Sequence, residues 1–325
     1  MILNNALHLT TGETKKTTRD GVGEGLLYLG KNNPQVLVLT ADLADSTRSL
    51  EFGKTFPEKY FNVGVAEQNM AGVAAGLALD GKIPFIASFG VFSPGRNWDQ
   101  VRVSICYSKA NVKIISSHTG LSAAQDGATH QALEDIAITR VLPNMCVIAP
   151  ADAIEARKAI IVAAEYVGPL YIRYEKNDVP IYTTDDTPFV IGQGYQYIEG
   201  SDVTIASTGQ TLQLALGAAQ DLEMQGISAE VLHFPTIKPL DKKLLLESIA
   251  KTRCLVSVEE HQVSGGFGGV LAEAVVTNDP IPMHMIGMQN TFAESGPFDA
   301  LAQKYGITKE NVRLAALDVI KRKKA

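Results

Sequence analysis

Apolar and polar positions follow two rhythms along the chain. Short apolar runs rich in β-branched residues are separated by longer stretches in which apolar residues recur at helical spacing. Runs that are apolar on both faces and alternate with helices predict a parallel sheet covered by helices on each side. In the first half the predicted strands are Val36–Thr40, Ile83–Ala87, Val112–Ser116, Met145–Ile148 and Leu170–Arg173. The predicted helices are Asp20–Leu29, Glu67–Leu79, Trp98–Ser108, Gln131–Arg140 and Ala153–Val167.

A segment of different character, Asn177–Ser201, interrupts this alternation. Its stretch TTDDTPFVIGQG has the composition of turns and linkers. A second α/β series follows, so the sequence predicts two doubly wound α/β domains, at residues 1–190 and 191–325. The elements predicted for the second domain are strands Val203–Ser207, Ala229–His233, Cys254–Glu259 and Pro282–Ile286, with helices Thr211–Met224, Lys242–Ala250 and Gly268–Val276.

Composition narrows the class of protein. A length of 325 residues favours two domains, and 46% hydrophobic with 20% charged residues is typical of a globular protein with a packed core. A net charge of −6 argues against nucleic acid or an anionic membrane as a partner. No apolar run reaches the roughly 18 residues that a membrane span needs, and the N-terminus does not have the pattern of a signal peptide. We therefore expect a soluble cytoplasmic protein.

Cysteines and glycines exclude several kinds of site. Cys106, Cys146 and Cys254 lie far apart in apolar segments, which indicates buried reduced thiols, and no pair has zinc-site spacing. The glycine cluster GVGEG precedes the first strand, and GGFGG lacks the GxGxxG spacing. We interpret these glycines as positions of close helix packing, and we predict no metal ligands.

The segment FNVGVAEQNMAGVAAGLAL contains a carboxylate at the start of a small-residue helix. Burying Glu67 without a partner would be costly. One interpretation is a helix N-terminal carboxylate stabilised by the helix dipole. The other is a catalytic carboxylate that meets a ligand at the helix start.

Two further segments follow predicted strands, at the sheet edge where open α/β sheets bind ligands. SSHTGLSAAQDGATHQALED contains His118, Asp126 and His130, and this combination favours a polar substrate site over simple turn and capping roles. SFGVFSPGRNWDQ contains Phe89 and Phe92, which either fill the core or form a stacking platform for a planar ring.

Taken in order, five segments resemble the C-terminal half of transketolase: ADLADST, GVAEQNM, SFGVF, QDGATHQALEDIA and LPNMCVIAPAD. The resemblance covers essentially the whole chain, with the pyrimidine-binding domain first and the family's C-terminal domain from about residue 200. It implies a thiamine diphosphate enzyme that moves a two-carbon ketol unit between sugar phosphates, as in the pentose phosphate pathway.

The resemblance also implies roles for individual residues. Glu67 matches the glutamate that hydrogen-bonds the aminopyrimidine ring and drives its imino tautomer, which then deprotonates the thiazolium C2. Phe89 and Phe92 match the aromatic residues that flank this ring, and Asp42 matches an aspartate that approaches the cofactor. The implied substrate residues are Asp126 and His130 for the sugar hydroxyls and carbonyl, with His130 also catalytic, and Arg19, Ser46, His118 and Arg173 for the sugar phosphate.

The sequence departs from the family pattern in three places. Gln125 stands where the family usually has glutamate, and a third aromatic residue is missing near Gly95 and Arg96. The GDG motif that carries Mg²⁺ and the diphosphate is absent. The resemblance therefore implies a split transketolase, in which an N-terminal partner subunit supplies the diphosphate-binding domain with its Mg²⁺. We expect two copies of each subunit, with the active sites between them.

Three alternatives remain open. A deoxyxylulose-phosphate synthase has similar loops, although His118 favours transketolase. The β subunit of a 2-oxoacid dehydrogenase shares the architecture but would not need Asp126, His130, Arg19 and Arg173. A non-catalytic partner subunit is the third alternative, and the joint presence of Glu67, Asp126 and His130 argues against it.

Overall fold

The computed structural model describes residues 3–323. The strands are β1 Lys15–Thr17, β2 Val36–Thr40, β3 Tyr60–Asn62, β4 Ile83–Phe89, β5 Lys113–Ser117, β6 Cys146–Ile148, β7 Leu170–Arg173, β8 Asp178–Pro180, β9 Tyr195–Ile198, β10 Val203–Ser207, β11 Ala229–His233, β12 Thr236–Lys238, β13 Leu255–Gln262 and β14 Met283–Met288. The helices are α1 Thr18–Asn32, α2 Leu50–Thr55, α3 Glu67–Leu79, α4 Trp98–Gln100, α5 Asp135–Arg140, α6 Ala153–Glu165, α7 Leu212–Glu223, α8 Lys242–Thr252, α9 Phe267–Asn278, α10 Phe298–Lys304 and α11 Lys309–Lys323.

The first domain is built on a seven-stranded sheet in the order β12-β6-β7-β5-β4-β2-β3. Its strands are parallel except β12, which pairs antiparallel with β6 at one edge. Successive residues of β2 face opposite sides, so Val36 and Val38 pack with helices α1 and α6, while Leu37 and Leu39 pack with α3. Helices therefore cover both faces of the sheet, which confirms the predicted doubly wound α/β architecture.

The second domain has a five-stranded sheet in the order β14-β13-β10-β11-β9. The first four strands are parallel, and β9 closes the edge in the antiparallel direction. The two domains share one apolar cluster, in which Leu232, Phe234 and Phe267 join residues of the first sheet. Strand β12 extends the first sheet from the second half of the chain. The domains are thus held together by a common core and a shared strand.

Two predicted helices differ from the structure. The predicted Trp98–Ser108 helix is α4 followed by a wider π-helical segment, Val101–Tyr107. The predicted Gln131–Arg140 helix begins only at Asp135, because Ala132 pairs as an isolated β-bridge with Thr119 and the preceding residues are held out of the helix. The division at residue 190 stays a prediction.

Candidate active site

Four neighbouring parallel strands, β7, β5, β4 and β2, end at the same edge of the first sheet. The predicted site residues on the segments that follow these strands are therefore brought towards one another. A crevice at the carboxyl ends of parallel strands is where this type of fold binds ligands.

Glu67 is the first residue of α3 and is only 2% exposed. Its Oε2 accepts a hydrogen bond from Arg96 Nη1 at 2.8 Å, and its backbone carbonyl accepts one from Asn97 Nδ2 at 3.2 Å. The other carboxylate oxygen, Oε1, is buried and has no hydrogen-bond partner. A buried acceptor without a donor is costly, so this atom is suited to receive a hydrogen bond from a ligand.

Arg96 lies beside the position where the sequence lacks a third aromatic residue. Its guanidinium carbon is 4.4 Å from the centre of the Phe92 ring, a cation–π distance. The side chain is 47% exposed, so its ion pair with Glu67 is open to solvent on one side. A planar cationic group thus stacks on Phe92 and donates to the carboxylate at the same time.

Four aromatic rings pack against one another at these strand ends. Phe89 stacks on His118 with 3.8 Å between ring centres, and it lies nearly parallel to Phe92 at 5.8 Å. His130 approaches Phe92 edge-on, with 5.5 Å between centres. Phe89 is buried and Phe92 is half-buried, so this pair both fills the core and offers a ring surface to a ligand.

A cluster of polar and charged groups borders these rings. Arg19 Nη1 donates to the carbonyl of Ser46 at 3.2 Å, and Nη2 donates to the carbonyl of Lys176 at 3.4 Å. The Lys176 ammonium is 3.2 Å from Asp126 Oδ2. His130 Nδ1 lies 2.8 Å from the hydroxyl of Thr129, which orients its ring.

Two cations, Arg19 and Lys176, act on His118 in this cluster, alongside the carboxylate of Asp126. Burial, together with the charges of Arg19 and Lys176, lowers the pKa of His118 to about 3. Burial and the nearby Arg48 lower the pKa of the Arg19 guanidinium. His118 is therefore neutral at physiological pH. The two cations offer charge-assisted hydrogen bonds to an anion, Lys176 alongside its contact with Asp126.

The structure does not bring Arg173 into this cluster. Its side chain is 3% exposed, its Nε is 3.3 Å from Asp135 Oδ2, and its Nη2 donates to the carbonyl of Glu260 at 3.0 Å. Arg173 belongs to strand β7, where every residue is buried, whereas Lys176 follows the strand end. The cation that the fold brings to this cluster is Lys176, which the sequence pattern did not single out, although its place in the loop after a central strand was an available signal.

Asp42 lies at the end of β2 with a left-handed backbone, φ 62°. Its Oδ1 accepts from Asn62 Nδ2 at 3.1 Å, and Asn62 Oδ1 accepts from its backbone N–H at the same distance. No hydrogen bond within residues 3–323 joins Asp42 to Glu67. Asp42 is therefore an exposed residue that follows β2 and is oriented by Asn62.

The part of the chain that the structure describes contains neither a candidate metal-binding group of side chains nor a candidate membrane-spanning helix. Residues 3–323 contain no group of three or more His, Cys, Asp or Glu side chains that could hold a metal ion. Among the same residues, no helix combines the length and apolar character that a membrane span needs. The three cysteines are free and buried, and burial raises the pKa of Cys106 to about 11 and of Cys146 to about 12.

Comparison with known families agrees with this geometry. Residues 14–181 match the family described as "Transketolase, pyrimidine binding domain", and residues 192–312 match "Transketolase, C-terminal domain". The chain is 42% identical over 310 residues to a "Putative transketolase C-terminal section" of Methanocaldococcus jannaschii, with 94% of this chain and 97% of the relative covered. It is 39% identical over 305 residues to "6-deoxy-6-sulfo-D-fructose transketolase subunit SqwH" of a Clostridium species, with 94% and 95% covered.

A solved structure extends the likeness to the fold. It is described as "Split gene transketolase, inactive beta4 tetramer", and it shares 46% sequence identity and a TM-score of 0.89 with this chain, covering 94% of this chain and 99% of its own. The two domain matches, the two relatives and this structure agree with the resemblance carried by the five sequence segments. The chain therefore belongs to the transketolase family, as a subunit that contains the pyrimidine-binding and C-terminal domains.

Proposed function

We propose that this subunit supplies half of a thiamine diphosphate site and, in complex with a diphosphate-binding partner subunit, transfers a two-carbon ketol unit from a ketose phosphate to an aldose phosphate. The observation that carries the proposal is Glu67 Oε1, a buried carboxylate oxygen without a partner beside a pair of stacked aromatic rings. An aminopyrimidine ring has the matching chemistry, because it is planar and presents ring-nitrogen and amino groups for hydrogen bonding.

Glu67, Phe89 and Phe92 are the residues that would hold the pyrimidine end of the cofactor. Thiamine diphosphate, when bound, supplies the thiazolium carbanion that makes ketol transfer possible. Glu67 would hold a proton between its Oε1 and the ring nitrogen, and the two phenylalanines would fix the plane of the ring. Arg96 holds the other oxygen of Glu67 in place, which leaves Oε1 directed at the ligand.

We propose Lys176, in place of the predicted Arg173, as a cation of the sugar-phosphate site. Lys176, Arg19 and the neutral His118 interact electrostatically at the same strand ends, and Ser46 adjoins Arg19. An anion placed among two cations and a neutral imidazole donor receives charge-assisted hydrogen bonds. The Arg173 guanidinium is already engaged by Asp135 inside the protein.

Asp126 and His130 are proposed to bind the hydroxyl and carbonyl oxygens of the sugar. Asp126 is exposed at the crevice and offers an acceptor, while its contact with Lys176 ties it to the phosphate side. His130 is half-buried beside Phe92 and provides a donor or acceptor near the ring platform. His130 is thus placed to hold a proton at the substrate oxygen.

The partner subunit is proposed to bind the diphosphate and Mg²⁺, in an assembly of two plus two chains. One face of α3, which begins with Glu67, is uncovered, with Gly72, Val73, Gly76 and Leu79 exposed. Phe61 and Val65, in the segment before α3, are 43% and 73% exposed. Several exposed apolar residues in and just before the helix that carries Glu67 favour a protein partner there. The buried reduced thiols fit a cytoplasmic setting.

The test is ketol transfer from xylulose 5-phosphate to ribose 5-phosphate with thiamine diphosphate and Mg²⁺. We expect no turnover from this chain alone and turnover from its mixture with the partner subunit. Glu67→Ala should abolish transfer in a complex that still assembles, while Glu51→Ala, an exposed glutamate on α2, should transfer normally. Silence of a mixture shown to form a complex would refute the proposed substrates.

The same assay also distinguishes two other donor substrates, a sulfosugar and pyruvate. The 39% identical relative is named for 6-deoxy-6-sulfo-D-fructose, and a sulfonate would also pair with Lys176 and Arg19. Pyruvate with glyceraldehyde 3-phosphate tests the deoxyxylulose-phosphate synthase alternative. Turnover with pyruvate in place of the ketose phosphate would assign the subunit to that reaction.

A further inference from the structure

The loop that carries His118 and Asp126 has an unusual backbone. Residues His118, Gly120, Ala124 and Gly127 all have left-handed φ values, of 58°, 66°, 50° and 76°. Ala124 combines its φ with ψ −106°, a region that a residue with a side chain rarely adopts. Such a conformation persists only where surrounding structure holds it. The shape of this substrate loop, residues 118–127, therefore needs an external support.

The support comes from the second domain, through Glu260 on β13. Its side chain is buried, and a Cβ atom added to Gly120 would lie only 2.3 Å from its Oε1. Burial raises the pKa of Glu260 to about 7, while Arg173, Gln210 and the backbone N–H groups of Leu121 and Ser122 favour its charged form. Its Oε1 makes no hydrogen bond within residues 3–323, so the loop meets this oxygen through backbone packing at Gly120. Gln210 Nε2 donates to its Oε2 and fixes the side chain from the other side. The glycine at 120 thus allows the backbone to approach Glu260 directly.

A second contact fixes the far end of the loop. Gln131 Nε2 donates to the carbonyl of Ala124 at 3.2 Å and to the carbonyl of Glu294 at 3.1 Å, so one amide group joins the loop to the second domain. A Cβ atom added to Gly127 would lie 2.5 Å from Ser295 Oγ. The second domain therefore contacts the loop at both ends.

The substrate loop has open space behind it. A cavity of about 280 Å³ lies at the domain boundary, lined among others by Leu121, Gln210, Glu260 and Phe298 of α10. Leu121 also packs with Leu301 of α10 in an apolar cluster that crosses the boundary. A loop with open volume at its back can relax unless a specific polar contact holds it.

The adjacent residue on β13, Glu259, has a different role. Its carboxylate accepts from the backbone N–H groups of Phe267 and Gly268, at 2.6 and 2.8 Å, and thereby caps α9. Gly266 leaves room for it, because a Cβ there would lie 2.1 Å from Glu259 Oε2. Two buried glutamates of one strand thus serve separate structures, and only Glu260 supports the substrate loop.

We propose that Glu260 is a positioning residue for the sugar substrate: through Gly120, Leu121 and Ser122 it holds the loop in the conformation that presents His118 and Asp126 to the ligand. This gives the C-terminal domain a part in substrate recognition. The inference rests on the proposed function of the crevice, and it concerns substrate binding rather than the activation of the cofactor by Glu67.

The first measurement is steady-state kinetics of the assembled complex with Glu260→Gln. Loss of the carboxylate that faces the Leu121 and Ser122 N–H groups predicts a rise in KM for the ketose phosphate of roughly 10-fold. The rate of deuterium exchange at C2 of bound thiamine diphosphate should stay within about twofold, because Glu67 is not involved. Glu259→Gln, the matched control, should leave KM unchanged. An unchanged KM for Glu260→Gln, or an equal fall in C2 exchange, would overturn the proposal.

The second measurement uses this subunit alone and needs no activity. Backbone amide hydrogen exchange of the peptide covering residues 118–127 should be about 10-fold faster in Glu260→Gln, with other peptides unchanged. Gly120→Ala provides a second variant, because its new Cβ would collide with Glu260 Oε1 and should accelerate the same peptide. Wild-type exchange of this peptide in both variants would contradict the support role. Normal C2 exchange in Glu67→Gln would instead refute the proposed function.

Discussion

Replacement of Arg173 by methionine separates a structural arginine from a substrate-binding one. The Arg173 and Asp135 side chains are 3% and 0% exposed, and their charged groups are 3.3 Å apart. Asp135 Oδ2 also accepts a hydrogen bond from Tyr171 at 2.6 Å. Methionine retains most of the aliphatic volume but removes the charge, so Asp135 would remain buried with no cation beside it.

The magnitude follows from this burial. Removing one partner of a buried ion pair costs about 3–5 kcal/mol, because the remaining charge is uncompensated. The lost hydrogen bond from Arg173 to the carbonyl of Glu260 adds to this cost. Asp135→Asn in the same chain should recover part of the loss, because the double variant no longer buries an unpaired carboxylate.

Urea unfolding of the isolated subunit, followed by circular dichroism, measures the effect. We expect the free energy of unfolding to fall by about 3–5 kcal/mol in Arg173→Met and by less in the double variant with Asp135→Asn. In the assembled complex, the residual activity should decline equally with phosphorylated and unphosphorylated donors. A variant within about 1 kcal/mol of wild type that loses only phosphorylated donors would refute the structural assignment.

Two further predictions concern the charged cluster. Lys176→Gln should raise KM for phosphorylated donors by roughly 10-fold, with little effect on KM for unphosphorylated donors. The stability of the fold should be nearly unchanged, because both side chains of the Lys176–Asp126 ion pair are about one-third exposed. Equal KM changes for the two donor classes would contradict this prediction. Because the pKa of His118 is about 3 in the folded chain against a usual 6.5, His118 stabilises the fold above pH 6.5 and this contribution is lost as pH falls towards 3. The difference in unfolding free energy between pH 7 and pH 5 should therefore be about 2 kcal/mol smaller in His118→Gln than in wild type, and parallel pH profiles of the two proteins would disprove the assigned protonation state.

The central strands of both sheets could be predicted from the sequence because they are buried on both faces. Val36–Thr40, Leu170–Arg173 and Val203–Ser207 were expected within the bounds that the structure has. The short edge strands could not be predicted in the same way. β12 is only three residues long, and its pairing with β6 depends on a contact between distant parts of the chain, which local periodicity does not report.

The site shows the same division between local and long-range information. Glu67, Phe89 and His118 lie at strand ends or a helix start, so sequence pattern and family resemblance together indicated them. Whether Arg173 or Lys176 lies near the other site residues depends on which of them follows the buried strand rather than belonging to it. Only the fold shows where each of the two side chains lies. The support of the substrate loop by Glu260 could not be predicted, because it joins residues about 140 positions apart.

Deuterium exchange at C2 of thiamine diphosphate, bound to the complex of this chain with its partner subunit, tests the account most directly. Wild type and Glu67→Gln would be compared at saturating cofactor, with Mg²⁺ present and no sugar added. If Glu67 controls the proton on the aminopyrimidine ring, exchange in the variant should be at least about 100-fold slower. Exchange at the wild-type rate in a fully assembled, cofactor-saturated Glu67→Gln complex would contradict the account.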